Sequence, residues 1–587
     1  AAALTAALTS GAAALTAALT VCSAALTSCS DWDDHYDADS QLSSTQQRTL
    51  WQNIQGSSNL TQFAALLKKG GYDEVLNTSQ TYTVWAPTDN SFDYEAVNAL
   101  TADRLKKEFI ENHIARYNYP ASGSFIQRLF TLNEKMMLFS GGTEAASSCT
   151  IQGIGVGQPN VASSNGTLHA LEGKIPFMQN IYESLNNYDH PIDSVSNFFH
   201  AYDVKKLNEE KSVKGPTLNG EITYLDSIFD ESNDLFQRYE AYINREDSNY
   251  TMIVPTNEAW EKARKTILQY FNYLPSFEFM ENTSTGTDKK KVTVNVKDVQ
   301  YLQDSIVHMM LTGYLTYNNN IYDNKKLSTL TTGQALDCDS LYGTTLTKIY
   351  REDAARLFEN ARRIDKSNGA IWLTDSLRMR TWTAWNPEIR LQAENRNLTA
   401  GVVNVYNNEA ERVYVTPGTQ NPDVTGQLSA NAYVEVQPIS SSTNPGIVFY
   451  LPQVRSTTYS VYIVMVPSVI TNASNATKPN RFTVSMGYAD ATGANVDNDK
   501  DWTVESAFVS DSLQIDTVYI GDFTFPMAYV GTGSYYPYMR VNSSVTSRER
   551  TIYDRTLRID CVILRPKELD DYMKAHPGYK YDNGLYR

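Results

Sequence analysis

The feature that most constrains this chain is a two-part pattern that it carries twice. Residues 81–93 read TYTVWAPTDNSFD and residues 249–263 read NYTMIVPTNEAWEKA. In each, an apolar run leads into Pro-Thr-Asp or Pro-Thr-Asn and then into polar and apolar residues at helical spacing, which predicts a strand, a turn and a helix. Pro87 and Pro255 hold the chain extended before the turn, and Thr88 and Thr256 stand where a helix N-cap is wanted, with Asp89 and Asn257 assisting the same turn. Further on, SSNGTLHALEGKIPF (163–177) and KSNGAIWLTDSLRM (366–379) each set an Asn-Gly pair between strand-like runs. Such a pair accepts the positive φ of a tight turn. Internal repetition of this kind fixes the architecture before any single element does, because one supersecondary plan has to be built twice.

These paired segments resemble the two signature motifs of fasciclin domains. Thr83–Phe92 and Thr251–Trp260 are similar to the first motif. Asn165–Glu172 and, with Trp372 in place of a histidine, Asn368–Asp375 are similar to the second. ENHIARYNY (111–119) and VHMMLTGYLTY (307–317) represent the Tyr-His-type motif between them. The resemblance spans residues 44–382 and implies two tandem fasciclin-like domains, 44–190 and 191–382. The second carries the polar insertion ENTSTGTDKKKVTVNVKD (281–298), read as a hairpin over the surface. Fasciclin domains are extracellular adhesion and interaction modules whose partners are proteins and sometimes glycans or lipids, so the resemblance implies a binding role. His113, His169 and His308 lie on apolar stretches and read as satisfied core histidines. The nearby Asp and Glu residues have no spacing that assembles a nucleophile, a base and its orienter.

After Trp385 the periodicity changes from helical to alternating. GVVNVYN, AYVEVQP, GIVFYLP, YSVYIVMVP, RFTVSMGYA, LQIDTVYIGDFTF and LRIDCVILRP are separated by Asn, Gly, Pro and Ser. They predict an all-β antiparallel sandwich or jelly roll over 383–566, with Cys561 buried on a strand and 567–587 as a polar, Tyr-rich tail. The closing LRIDCVILRP looks like the last strand of carbohydrate-binding jelly rolls. The expected class is therefore α+β: two fasciclin-like domains followed by this sandwich. Stacking on a sugar needs exposed aromatic faces, and the candidates are Trp382, Trp385, Trp502 and, in the glycine-flanked GTGSYYPYMR, Tyr535, Tyr536 and Tyr538.

The opening of the chain carries a second resemblance. Residues 1–28 form a signal-like segment of small and apolar residues. It repeats Ala-Ala-Leu-Thr and lacks an initial Met and a basic start, so no function is drawn from its first twenty residues. Leu26-Thr27-Ser28-Cys29 resembles the bacterial lipobox, in which the cysteine thiol forms a thioether to diacylglycerol. The following SDWDDHYD resembles the acidic export signal of surface-displayed Bacteroidetes lipoproteins, with 29–43 as lipidated cysteine and tether. The implied cofactor is none beyond a covalent lipid on Cys29, and the implied location is the outer membrane, lipid-anchored and facing outward. A multiply acylated cysteine anchors stably, since each buried CH₂ contributes about 0.8 kcal/mol.

Composition then removes several classes. With 66 acidic against 50 basic residues and a net charge of −16, the chain is repelled by nucleic-acid backbones and anionic lipid surfaces. Its 5 cysteines lie far apart and form no zinc-ribbon or dense disulfide pattern. No glycosidase carboxylate pair stands out, and there is no Ser or Cys elbow, phosphate loop or metal cluster in the sequence. The sequence thus predicts a non-enzymatic lipoprotein. Its expected role is an accessory, ligand-binding subunit of a SusC/SusD-type, TonB-dependent uptake complex for glycans or oligopeptides. Its expected partners are a SusC-like barrel and a SusD-like lipoprotein. The alternative is a stand-alone fasciclin adhesin that grips extracellular matrix or other cells.

Overall fold

The computed structural model describes residues 44–142, 149–186, 190–218, 220–282, 289–344, 348–395, 399–400, 410–417, 419–497, 507–579 and 581. They group into two compact units. One runs to Phe177 and includes Asn208–Ile228; the other holds Met178–Leu207 and everything from Phe229 onward.

In the first unit, Thr49 and Gln52 form a reciprocal capping box that starts helix α1 (Leu50–Gln55). Helix α2 (Thr61–Lys69) buries Phe63, Leu66 and Leu67. Strand β1 (Tyr82–Pro87) is buried at every position. It lies between β2 (Ile114–Arg116), antiparallel, and β7 (Gly166–Leu171), parallel. The sheet continues through β6 (Ile154–Ser163), β5 (Thr150–Ile151), β4 (Met136–Gly141) and β3 (Phe125–Phe130), in the order β2-β1-β7-β6-β5-β4-β3. Tyr82, Val84 and Ala86 face one apolar cluster with Phe63 and Phe109, while Trp85 faces another with Phe139 and Leu171. Two covered faces explain why β1 reads as a continuous apolar run.

The second unit repeats this junction residue for residue. Its Tyr250–Pro255 strand pairs antiparallel with Thr316–Asn318 and parallel with Gly369–Thr374. Tyr82 faces Gly166 and Pro87 faces Leu171; in the same way Tyr250 faces Gly369 and Pro255 faces Thr374. The glycines are obligatory. Gly166 (φ +145°) and Gly369 (φ +139°) would each place a Cβ 1.8 Å from the carbonyl oxygen of Tyr82 or Tyr250.

The asparagine before each glycine does more than turn the chain. Asn165, buried, accepts from Leu50 N (2.8 Å) and donates to the carbonyls of Leu76 (2.9 Å) and Thr78 (2.7 Å). Asn368, equally buried, accepts from Ile181 N (2.9 Å) and donates to the carbonyls of Ile243 (2.7 Å) and Arg245 (3.0 Å). Each amide therefore ties three segments together at the edge of the strand pair. Asp89 and Asn257 also act at a distance. Asp89 accepts from Thr61 N and Gln62 N at the start of α2. Asn257 accepts from Ser194 N at the start of the Asp193–His200 helix. Neither of those helices has a side-chain cap from its own N-cap residue, so the turn after the buried strand supplies it.

Three expectations are corrected here. Thr256 caps the Asn257–Leu268 helix as expected, accepting from Ala259 N. Thr88 does not cap a helix: its hydroxyl donates to Leu171 O (3.0 Å), and the next helix, Tyr94–Asn98, is capped by Asp93. Nor is His308 the counterpart of His113. Ile114 faces Val84 and Thr316 faces Met252 at matching places, which puts Leu315 where the first unit has His113. The polar insertion is a hairpin, Ser276–Asn282 with Lys289–Asn295, but it does not lie free on the surface: Phe277 joins the core of the sandwich, and Glu278 N donates to Gly493 O (2.7 Å).

That sandwich has two six-stranded sheets whose strands pair antiparallel. Val461, Ile463, Leu557 and Val562 from one sheet and Phe449, Val484, Met539 and Val541 from the other fill a shared core. AYVEVQP, GIVFYLP, YSVYIVMVP, RFTVSMGYA, LQIDTVYIGDFTF and LRIDCVILRP each contain a strand, while GVVNVYN lies outside the described residues. LRIDCVILRP is the central one, pairing with three neighbours, and Cys561 on it is buried. Residues 567–587 are not simply a tail, since Lys567–Ala575 is a helix. Its Glu568 accepts from Tyr270, Thr381 and Asn386, and Tyr572 and Tyr579 pack on the Arg380 guanidinium at 4.4 and 5.1 Å. The class is α+β, with a large antiparallel β region.

Candidate ligand-contact site

The candidate rings do not form one surface. Trp385 is buried in the core and its carbonyl accepts from Arg455 Nε (2.7 Å), so it has no face to offer. Tyr538 is also corrected. It begins the strand Tyr538–Ser543 rather than sitting in a loop. There it packs across Gly487, whose Cβ would come within 2.0 Å of the ring. A glycine opposite an aromatic leaves the room that the ring fills. Tyr535 and Tyr536 are half-buried. Tyr535 meets Phe279 of the inserted hairpin edge to face (5.4 Å, 70°), and Tyr536 lines a narrow depression with Glu278, Phe279 and Tyr488. The Tyr535 ring is thus engaged by the protein's own hairpin. Trp382 donates from Nε1 to Tyr579 Oη (3.1 Å). Trp502 and Cys29 lie outside the described residues.

The histidines are placed by burial. His113 is fully buried. Its Nδ1 lies 2.6 Å from Phe109 O and its Nε2 accepts from Ile175 N (2.9 Å). His169 contacts Tyr119 O through Nε2 (3.0 Å) and accepts from Asn160 N through Nδ1 (3.3 Å). Burial lowers both to about 4, which keeps them neutral in a role of tying loops to the sheet.

A polar cluster with no signature in the residue pattern lies in the second unit. His200 Nδ1 is 2.7 Å from Tyr182 Oη and 2.8 Å from Asp203 Oδ2. Burial raises the Asp203 carboxyl, but hydrogen bonds from Tyr182, His200 and Asn233 outweigh it and leave the group below the usual carboxylate range. His200 Nε2, the nitrogen a nucleophile would need, faces the Asn186 amide at 3.2 Å. The arrangement therefore holds the end of a helix rather than activating a hydroxyl or thiol. Among the described residues no group of three or more His, Cys, Asp or Glu side chains is placed to hold a metal ion.

Two exposed features were also missed. On the outer face of the β3–β4 pair, Ile126 (83% exposed), Phe130 (51%) and Leu138 (42%) surround Arg128. In the second unit Tyr322, 63% exposed, rests on Tyr342 with ring centroids 4.5 Å apart. The only sequence signal for the latter is NNNIYDN (318–324), a tyrosine among turn-forming asparagines.

Residues 58–175 match the fasciclin domain family, so the first unit contains a fasciclin domain. No protein with a curated description matches the chain. Among solved structures, the chain is similar to a FAS1 domain pair from the insect cell adhesion molecule fasciclin I, at 13% identity over 55% of this chain and 98% of that one, with a TM-score of 0.19. It is also similar to a Paenibacillus xanthan lyase, at 14% identity over 35% of this chain and 16% of that one, with a TM-score of 0.18. The fasciclin domain itself points to an adhesion or binding role.

Proposed function

We propose that the protein is a non-enzymatic lipoprotein of the cell surface, anchored through a lipid on Cys29, that serves as an accessory ligand-binding subunit of a SusC/SusD-type, TonB-dependent uptake complex for glycans or oligopeptides. The observation that carries the reading is Leu26-Thr27-Ser28-Cys29 followed directly by the acidic SDWDDHYD, joined to a fasciclin domain. The second segment acts as another fasciclin-like domain: its strand register and its Asn368-Gly369 pair repeat those of the first. No described helix is long and apolar enough to cross a membrane, and attachment through lipid needs none.

A stand-alone adhesin is the second reading, favoured by the exposed apolar face of Ile126, Phe130 and Leu138. Apolar surface of that kind marks contact with another protein. Mild-detergent purification from native membranes, with mass spectrometry of the companions and of the residue-29 peptide, separates the two. A co-purifying TonB-dependent barrel with acylated Cys29 supports the uptake reading, an acylated protein with no companion moves the assignment to adhesion, and an unmodified Cys29 removes the lipoprotein.

A further inference from the structure

We propose that Asp560, Glu394 and Gln392 form a calcium site on the outer face of the sandwich, at the point where its central strand, Leu557–Pro566, changes neighbours. The inference goes beyond the ligand-binding reading above and does not rest on it. Residues 557–559 pair with 434–436, and residues 561–564 pair with Ile389–Gln392. Asp560 falls between the two. On its other side the register with Thr458–Met465 shifts between Val464, opposite Cys561, and Met465, opposite Ile559. Asp560 is therefore a bulge residue, and a bulge re-aims a side chain. Ile389 and Leu391 belong to the core, which puts Gln392 on the opposite face. Ala393 N donates to Asp560 O (2.9 Å) and Asn395 N to Gln392 O (3.1 Å), so the turn that ends Ile389–Gln392 closes beside the bulge.

Three acceptor oxygens meet there. Ser429 N donates to Asp560 Oδ2 (2.9 Å) and Gln392 Nε2 donates to Ser429 Oγ, so one serine holds the carboxylate and the amide side by side. Their other oxygens, Asp560 Oδ1 and Gln392 Oε1, are buried and accept no hydrogen bond from the described residues, although Asp560 is only 1% exposed. The same holds for Oε2 of Glu394, two residues beyond Gln392. Carboxylate oxygens withdrawn from water without a donor are costly unless a positive charge meets them. Burial raises both carboxyls, and the nearby Glu394 charge helps push Asp560 to about 7. Arg390 does not supply the missing charge by contact, because its guanidinium turns to Glu388 (3.1 Å).

The donor set selects the ion. All three atoms are oxygens, and the two carboxylates balance a hard divalent cation. Two acidic side chains are enough when an amide oxygen is the third ligand, so the site needs no cluster of three acids. Zinc would call for nitrogen or sulfur, and burial holds the adjacent Cys561 thiol protonated. Magnesium demands a near-octahedral shell, whereas calcium accepts about six to eight oxygens in irregular geometry, leaving the remaining places to water and backbone carbonyls. An ion here would pin the Ser429 segment, the turn after Gln392 and the bulge to one another.

The test is calorimetric titration of the full chain, stripped with EGTA, with calcium chloride and with magnesium chloride above pH 7, joined to amide exchange. Calcium is expected to bind with a Kd on the order of 0.1–1 mM, at least tenfold more tightly than magnesium, and to raise protection in Leu557–Pro566. Asp560→Asn keeps an acceptor for Ser429 N, and Glu394→Gln alters a side chain that is only half-buried. Each should weaken calcium binding at least tenfold, while Glu411→Gln, at an exposed carboxylate of the same sheet, should leave it unchanged. No calcium binding, binding that either site variant leaves intact, equal affinity for magnesium, or binding without added protection in Leu557–Pro566 overturns the proposal.

Discussion

The two α/β segments share a junction and little else. Both set a buried strand between an antiparallel and a parallel neighbour in the same register, close it with Asn-Gly, and cap an upstream helix from the turn. Around that junction the first builds a seven-stranded sheet with its own two clusters. Among the described residues the corresponding sheet of the second has four strands, and its main cluster takes in Ala528 and Val530 from the sandwich, while Tyr273 donates to Val530 O (2.8 Å). The motif residues therefore specify a small backbone crossing whose glycine position leaves no room for a side chain, and the rest of each segment is free to be completed differently.

The glycines give the strongest way to break this comparison. Gly166→Ala and Gly369→Ala each force a Cβ into a carbonyl oxygen, and each should cost about 4 kcal/mol or more. Gly166→Ala should lower only the transition of the first unit. Gly369→Ala should also loosen the sandwich, read as lost amide-exchange protection in Thr458–Met465. Protection left intact there would show that the second segment and the sandwich fold independently.

The asparagines come next. Asn165→Ala and Asn368→Ala each remove three hydrogen bonds to the backbone, leaving the buried Leu50 N or Ile181 N without its side-chain acceptor, and should cost roughly 3 kcal/mol by denaturant unfolding. A large effect at one and a small effect at the other would mean that the two clamps only look alike.

Acid separates the segments through one position. His113 is held neutral in the folded state, at about 4 against an ordinary 6.5. The unfolded chain therefore takes up more protons as pH falls from 6.5 toward 4, and the stability present above 6.5 is lost across that range, up to roughly 3 kcal/mol. Leu315 fills the corresponding place in the second segment and cannot titrate. His113→Leu should flatten the pH dependence of the first unit's unfolding between pH 7 and 4.5, even though it lowers stability at pH 7 by leaving Ile175 N and Phe109 O without the ring. An unchanged slope would assign the acid sensitivity elsewhere, with His169 as the next group to test.

The smallest effect concerns the caps. Asp89→Ala and Asn257→Ala should each cost about 1 kcal/mol. Asp89 should be the larger, because it accepts from Thr61 N, Thr61 Oγ1 and Gln62 N, whereas Asn257 accepts from Ser194 N alone at that helix start. The reverse order would mean that charge and donor number do not set the difference.

Much of the candidate site was illegible in advance for one reason. Trp385 and Tyr538 read as exposed aromatics because each is flanked by polar or turn-forming residues, yet what covers them is remote in sequence. Arg455 and the surrounding core close over Trp385, and Gly487 makes the space for Tyr538. Asp560 fails in the opposite direction. Its apolar neighbours announce a buried strand, but only the bulge and the turn after Gln392 bring its carboxylate near that of Glu394.

By itself the sequence determined whatever depends on neighbours a few residues apart. The Pro-Thr turns, the Asn-Gly pairs, the buried His113 and His169 and the switch from helical to alternating periodicity after Trp385 follow from local sterics and from which face is apolar, whereas His308 is half-buried. Tertiary structure alone decided that Asp89 and Asn257 cap helices upstream, that the inserted hairpin joins the sandwich core, and that residues after Pro566 form a helix held by Tyr270, Thr381 and Asn386. The physical reason is that periodicity states that a face must be covered, while the identity of the cover is set by long-range pairing, in which many partners satisfy the same apolar pattern and only the assembled backbone selects one.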